Sequence, residues 1–130
     1  MNYCLDTNII ADIFRGNSVI KLNLEKIQSD TLFIPPIVLC ELYKGAFLSS
    51  RIQDSLQFIN QFKTSVHFIQ FDENACLIYG KLYAYLQKKG KQTQEADLMI
   101  ASIAIAHDLI LITKNGKDFI NIPELKLEVW

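Results

Sequence analysis

Asp6, Glu41, Asp97 and Asp118 are far apart in the chain, yet each adjoins an apolar segment expected to end at, or start from, one edge of a sheet. Carboxylates gathered in that way repel by about 4 kcal/mol per pair at ~4 Å for an effective dielectric near ~20. A hard cation such as Mg²⁺ or Mn²⁺, which takes oxygen ligands, is the natural counter-charge. The four acids together therefore read as a divalent-metal site. Taken singly, each has a structural explanation: a helix-start charge for Asp6 and Asp97, a partly exposed helix residue for Glu41, a turn residue for Asp118.

The elements that must position these acids follow from the surrounding pattern. A short apolar strand, Asn2–Leu5, runs straight into Asp6, Thr7 and Asn8 and then into helical spacing at Ile9, Ile10, Ile13 and Phe14. Asp6 thus sits at the carboxyl end of a strand, where open α/β sheets bind ligands. Pro35 and Pro36 stop a second strand and open the helix that carries Glu41 among apolar neighbours. Asp97 falls in the first turn of a helix over Glu95–Ala106 that is apolar almost all round and is expected to be buried. Asp118 follows the strand Leu109–Ile112 and the polar turn Thr113-Lys114-Asn115-Gly116-Lys117.

Further strands are predicted at Leu32–Ile34, His67–Ile69 and Leu127–Val129, and further helices at Asn8–Phe14, Val19–Gln28, Pro36–Leu48, Ile52–Phe62 and Glu73–Lys88. This alternation argues for an α/β fold with a mostly parallel sheet covered on both faces, because parallel strands need crossover connections. The most polar break, Lys88 to Thr93, reads as a loop after a helix C-terminus, with Gly90 as its cap.

Leu5-Asp6-Thr7-Asn8, Glu41-Leu42 with Gly45 beyond, Asp97-Leu98-Met99-Ile100-Ala101, Thr113-Lys114-Asn115 with Asp118-Phe119, and the closing Ile122 to Trp130 are similar, in order and separation, to the PIN-domain ribonucleases, specifically the VapC-like toxins of toxin–antitoxin pairs. The resemblance runs from end to end. It implies a PIN-like three-layer α/β/α sandwich in one domain over residues 1–130. The implied activity is a Mg²⁺- or Mn²⁺-dependent endoribonuclease that leaves a 5′-phosphate. The implied partners are RNA, a separately encoded antitoxin and a second copy of the chain. Asp6 and Asp97 match the family's metal-ligand acids, and Glu41 matches the helix acid between them. The fourth acid stands at the position of Asn115 in some PIN domains and at that of Asp118 in other VapC-like chains. An Asn at the former offers a carbonyl or holds a water but adds no charge. Thr7, Asn8, Thr113 and Asn115 are the residues expected to position water or phosphate. Glu95 is expected to point to a different side.

Bulk properties agree with one small globular domain. The chain has 130 residues, half of them apolar and about a fifth charged, enough for a core and too few for a second domain. No run approaches the ~18 to ~20 apolar residues of a membrane span, and the start lacks the order of a signal peptide, so a cytoplasmic protein is expected. Cys4, Cys40 and Cys76 show no C-x-x-C spacing and sit among apolar residues, which predicts buried free thiols. A net charge of −1 argues against strong nonspecific affinity for nucleic acid, so local cations matter more. Lys81, Lys88, Lys89 and Lys91 lead into the Asp97 helix, and Lys114 and Lys117 flank Asn115. They read either as the lining of an RNA groove or as ordinary solvated faces. Tyr79, Tyr83 and Tyr85 have mixed helical spacing that sends some toward the core and leaves base stacking open to the rest.

Other chemistries find little support. His67 and His107 have no neighbour at ligand spacing, and no phosphate-cradling glycine loop or nucleophile elbow is present. Two further readings stand against the nuclease. A receiver-like phosphoacceptor domain would use an acid after a central strand, Asp72 being the best placed, and would leave Glu41 and Asp97 without a task. A binding-only PIN-like module with a lapsed site conflicts with the complete acidic set.

Overall fold

The computed structural model describes residues 1–27 and 31–130. Strands β1 (Tyr3–Leu5), β2 (Leu32–Ile34), β3 (His67–Phe68), β4 (Ile110–Thr113) and β5 (Lys126–Val129) form one sheet in the order β3-β2-β1-β4-β5. Every pairing among the described residues is parallel. Helices α1 (Thr7–Phe14), α2 (Ser18–Glu25), α3 (Pro36–Leu48), α4 (Ile52–Phe62), α5 (Glu73–Lys88) and α6 (Glu95–Ala106) make the crossovers.

The central strands are buried on both faces, as an α/β/α sandwich requires. Cys4 and Leu5 on β1, and Leu111, Ile112 and Thr113 on β4, are consecutive residues that point to opposite faces, and all are fully buried. The edges differ. Both residues of β3 are exposed, and on β5 only Leu127 is half-buried.

Two expectations need correction. The second helix ends at Glu25 with Lys26 as its cap, short of the predicted Gln28, which lies outside the described residues. A short 3-10 turn, Lys63–Ser65, follows α4 where none was predicted, and the predicted polar turn after β4 carries another at Gly116–Asp118. Among the cysteines only Cys4 is buried, whereas Cys40 and Cys76 are exposed, though all three are free thiols. Apolar neighbours in sequence do not bury a helical residue, because adjacent positions face about 100° apart.

The chain order sets the position of the site. From β1 the chain moves outward to β2 and β3, then returns across the sheet to β4 and β5. The strand order reverses between β1 and β4, and open α/β sheets bind ligands in the crevice beyond the strand ends at such a point. Asp6 follows the last residue of β1, and Thr113 is the last residue of β4.

Candidate functional site

Asp6 extends the pairing of β1 with β4 by one residue, its N–H donating to the Ile112 carbonyl at 2.9 Å. Its backbone is extended and it caps α1, with Oδ1 accepting from the Thr7 N–H at 2.8 Å. The other carboxylate oxygen, Oδ2, accepts from Thr113 Oγ1 at 2.7 Å. Thr113 Oγ1 also accepts from Asn8 Nδ2 at 3.3 Å and from the Asn115 N–H at 3.1 Å. A hydroxyl has one proton and two lone pairs, so with both acceptor positions taken its proton points at Asp6. The strand end thus requires an acceptor at that carboxylate oxygen.

Glu41 is brought to the same place by α3. Thr7 Oγ1 donates to Glu41 Oε1 at 2.6 Å, which ties the first turn of α1 to that helix. Asn8 fastens the other side, with Oδ1 accepting from the Lys114 N–H at 3.3 Å. Asp97 stands half-buried in the first turn of α6, where the helix dipole favours an anion. Asp118 closes the 3-10 turn Gly116–Asp118 and is exposed, with Asn115 as the cap of that turn.

The electrostatics show that these carboxylates form one group. Burial, and then the negative charges of Asp6, Asp118 and Glu41, push the Asp97 pKa up to about 6. Asp6 is raised first by burial, opposed by the hydrogen bonds from Thr113 and Thr7, and raised again by Glu41 and Asp118. Each of the four acids is therefore felt by at least one other. Among the described residues no three His, Cys, Asp or Glu side chains already stand close enough to enclose a metal ion. The donor set is nonetheless all oxygen and strongly anionic, the chemistry that suits a hard divalent cation.

The two lysines expected to line a groove differ. Lys114 sends its Nζ to Asp12 Oδ2, and Lys117 is exposed on the 3-10 turn. Asp12 escaped the sequence reading. It is 5% exposed on α1, and its carboxylate also receives Arg15 Nη1 and Asn17 Nδ2, each at 3.2 Å. An acid interrupting the apolar run Ile9, Ile10, Ile13 was the available signal. Glu95 is exposed and accepts from the Tyr79 hydroxyl at 3.2 Å. Asp72 follows the edge strand β3, not a central one, and caps α5 by accepting from the Ala75 N–H at 3.0 Å. Its Oδ2 lies 3.1 Å from His107 Nε2 without a hydrogen bond between them. A receiver-like reading loses its phosphoacceptor.

Sequence and structure comparisons identify the fold and the family. The PIN domain family profile matches residues 3–125. Ribonuclease VapC2 of Rickettsia felis is 36% identical over 132 residues, covering all of this chain and 98% of its own. Ribonuclease VapC1 of Haemophilus influenzae (strain R2866) is 34% identical over 134 residues with the same coverage. The crystal structure of VapBC2 from Rickettsia felis bound to a DNA fragment from their promoter contains a chain that superimposes with a TM-score of 0.94 at 35% identity, covering 100% of this chain and 99% of that one. The chain belongs to the PIN-domain family, within its group of VapC ribonucleases.

Proposed function

We infer that this chain is a metal-dependent endoribonuclease of the VapC type, the toxin of a toxin–antitoxin pair, acting as one catalytic unit over residues 1–130. The observation that carries this reading is the mutual charge coupling of Asp6, Glu41, Asp97 and Asp118 around the switch point of a parallel sheet. Asp6, Glu41 and Asp97 would hold Mg²⁺ or Mn²⁺, with Asp118 as the fourth ligand or acting through a water. The cation would lower the pKa of a water nucleophile and offset charge on the phosphate as its bond to the leaving oxygen breaks.

The chain's own groups prepare that step. Thr113 orients Asp6 through its only hydroxyl proton, and Thr7 holds one oxygen of Glu41, leaving the other for the site. Asn115, bonded to Thr113 through its backbone N–H, would orient water or a phosphate oxygen with its side chain, and Asn8, whose amide bridges Thr113 Oγ1 and the Lys114 N–H, would hold that corner in place. Beside Glu41 and Thr7 opens an apolar groove of ≈ 300 Å³, walled by Phe14, Phe58 and Ile59. This groove would seat a segment of the antitoxin against the carboxylates. The working form would be a homodimer in the cytoplasm. No helix of the described residues is long and apolar enough to cross a membrane.

Incubating the purified protein with RNA in Mn²⁺, in Mg²⁺ and in chelator tests this function. Cleavage in the metal arms and none in chelator is the expected result. Intact RNA in every arm would refute it.

A further inference from the structure

Beside the first turn of α6 lies a groove of ≈ 390 Å³ that none of the four acids enters. One wall is Tyr83, an aromatic ring left 50% exposed. Its floor and rim carry Gln87, Lys91, Gln92, Thr93 and Gln94. An exposed aromatic face, amide and hydroxyl groups able both to donate and to accept, and a lysine are the three kinds of contact an unpaired nucleotide requires. They stack its base, read its edge and neutralise its phosphate.

The groove is built by identifiable interactions. Tyr83 stacks on Tyr79, with ring centroids 6.3 Å apart and planes inclined at 28°. Tyr79 is fixed in turn by donating its hydroxyl to Glu95 Oε1, which also engages the one carboxylate on the rim. Tyr83 is therefore the outer ring of a stack that a nucleobase would extend. On the other side α5 ends with Gly90 in the left-handed region at φ 66°. The Gly90 N–H donates to the Gln87 carbonyl at 3.2 Å, and the Lys91 N–H donates to the Leu86 carbonyl at 2.9 Å. Those two bonds set the course of the chain through Lys91 to Gln94. Glu95 and Leu98, which also line the groove, lie on one face of the first turns of α6, and Asp97, two residues after Glu95, is turned about 200° from it toward the carboxylates. A strand with one base in the groove therefore has to pass around that first turn to bring its next phosphate to Asp97.

We propose that the Tyr83 groove is a nucleobase subsite that holds an unpaired nucleotide of the RNA flanking the phosphate presented to the carboxylates. The proposal rests on the nuclease reading. It locates substrate selection on the α5–α6 connection, with Tyr83 as the stacking residue, Gln87, Gln92 and Gln94 as groups facing the base edge, and Lys91 on the phosphate.

The test compares labelled oligouridine with an abasic ribose-phosphate oligomer of equal length, both titrated with the whole protein in chelator and followed by fluorescence anisotropy. The parent is expected to bind oligouridine about fivefold to about a hundredfold more tightly than the abasic strand, the range that stacking of one base supplies. Tyr83→Phe should keep that preference, and Tyr83→Ala should abolish it while circular dichroism shows an unchanged fold. A parent without the preference, or a Tyr83→Ala variant that retains it, overturns the subsite. So does a Tyr83→Ala variant that changes only the oligomeric state, which would assign the groove to a second copy of the chain. RNA cleavage by the parent is scored separately with Mn²⁺. Its absence alongside a Tyr83-dependent preference would reject the nuclease and leave the base site standing.

Discussion

Lys114, one residue past the buried end of β4, places its ammonium on the carboxylate of Asp12, which is buried on α1. The contact spans 102 positions and fastens the strand end that carries Thr113 to the helix that Asp6 caps. A charge held by a buried partner is less available to phosphate than an exposed one. Because the Lys114 side chain is 40% exposed and Asp12 keeps Arg15 and Asn17, Lys114→Ala is expected to cost about 1 kcal/mol of stability. Chemical denaturation of parent and variant measures the difference, and equal midpoints would show that the pair contributes nothing.

Lys117 is the complementary case, being exposed on the 3-10 turn beside Asp118. If RNA passes there, Lys117→Ala should flatten the slope of log K against log salt by up to about 0.7, the contribution of one single-strand phosphate. Lys21→Ala, on the exposed side of α2, is the control and should leave the slope alone. Identical slopes for Lys117→Ala and the parent would move the RNA path elsewhere.

The pH dependence follows from Asp97. Its pKa is raised, chiefly by burial, from 3.8 to about 6. Between those values the folded protein binds more protons than the unfolded chain, so the stability of the metal-free protein falls as pH rises across that window. Asp97→Asn removes the titrating group and should flatten that part of the thermal-melting profile in chelator. Cation affinity should move the opposite way and rise with pH through about 6, because the ligand must lose its proton. A metal-free melting profile with the same pH slope in Asp97→Asn and in the parent over that range would contradict the raised pKa of Asp97.

Asp118 and Asn115 compete for the fourth position. Asp118 carries the charge felt by both Asp6 and Asp97, whereas Asn115 is held by its backbone on Thr113. Asp118→Asn should raise the Mg²⁺ concentration needed for half-maximal cleavage, and Asn115→Ala should lower the maximal rate with less effect on metal demand. Metal titrations of the two variants decide it, and an unchanged requirement in Asp118→Asn removes Asp118 from the site.

Much of this was legible in the sequence for local reasons. Pro35-Pro36, the apolar run of α6 and the polar break after Lys88 are punctuation that fixes element ends, and α3, α4, α5 and α6 fall where that punctuation put them. The acids stood out because charge beside strand ends and on apolar helices is costly. The Lys114–Asp12 pair did not, since only the assembled fold brings α1 to the end of β4. The turn after β4 was legible from its polar residues, but its packing was not. A Cβ on Gly116 would meet Val129 Cγ2 of β5 at 2.6 Å. The exposure of Cys40 and Cys76 shows the same limit, for the apolar residues beside them in sequence lie on other faces of their helices.

Asp6 is a poorer probe than Asp97. In Asp6→Asn, if the amide oxygen keeps the cap, the amide group turns toward a Thr113 hydroxyl whose two lone pairs are already engaged. Loss of activity there would mix chemistry with local strain. Asp97 has no such contact among its described hydrogen bonds, and its replacement by Asn keeps shape while removing one charge. The most direct measurement is therefore RNA cleavage by Asp97→Asn and the parent across a Mn²⁺ titration, with both folds verified by circular dichroism. Cleavage by the parent that depends on Mn²⁺, and none by Asp97→Asn at any Mn²⁺ concentration, is the predicted result. Parent-like cleavage by the variant would contradict a catalytic metal site built on these four carboxylates.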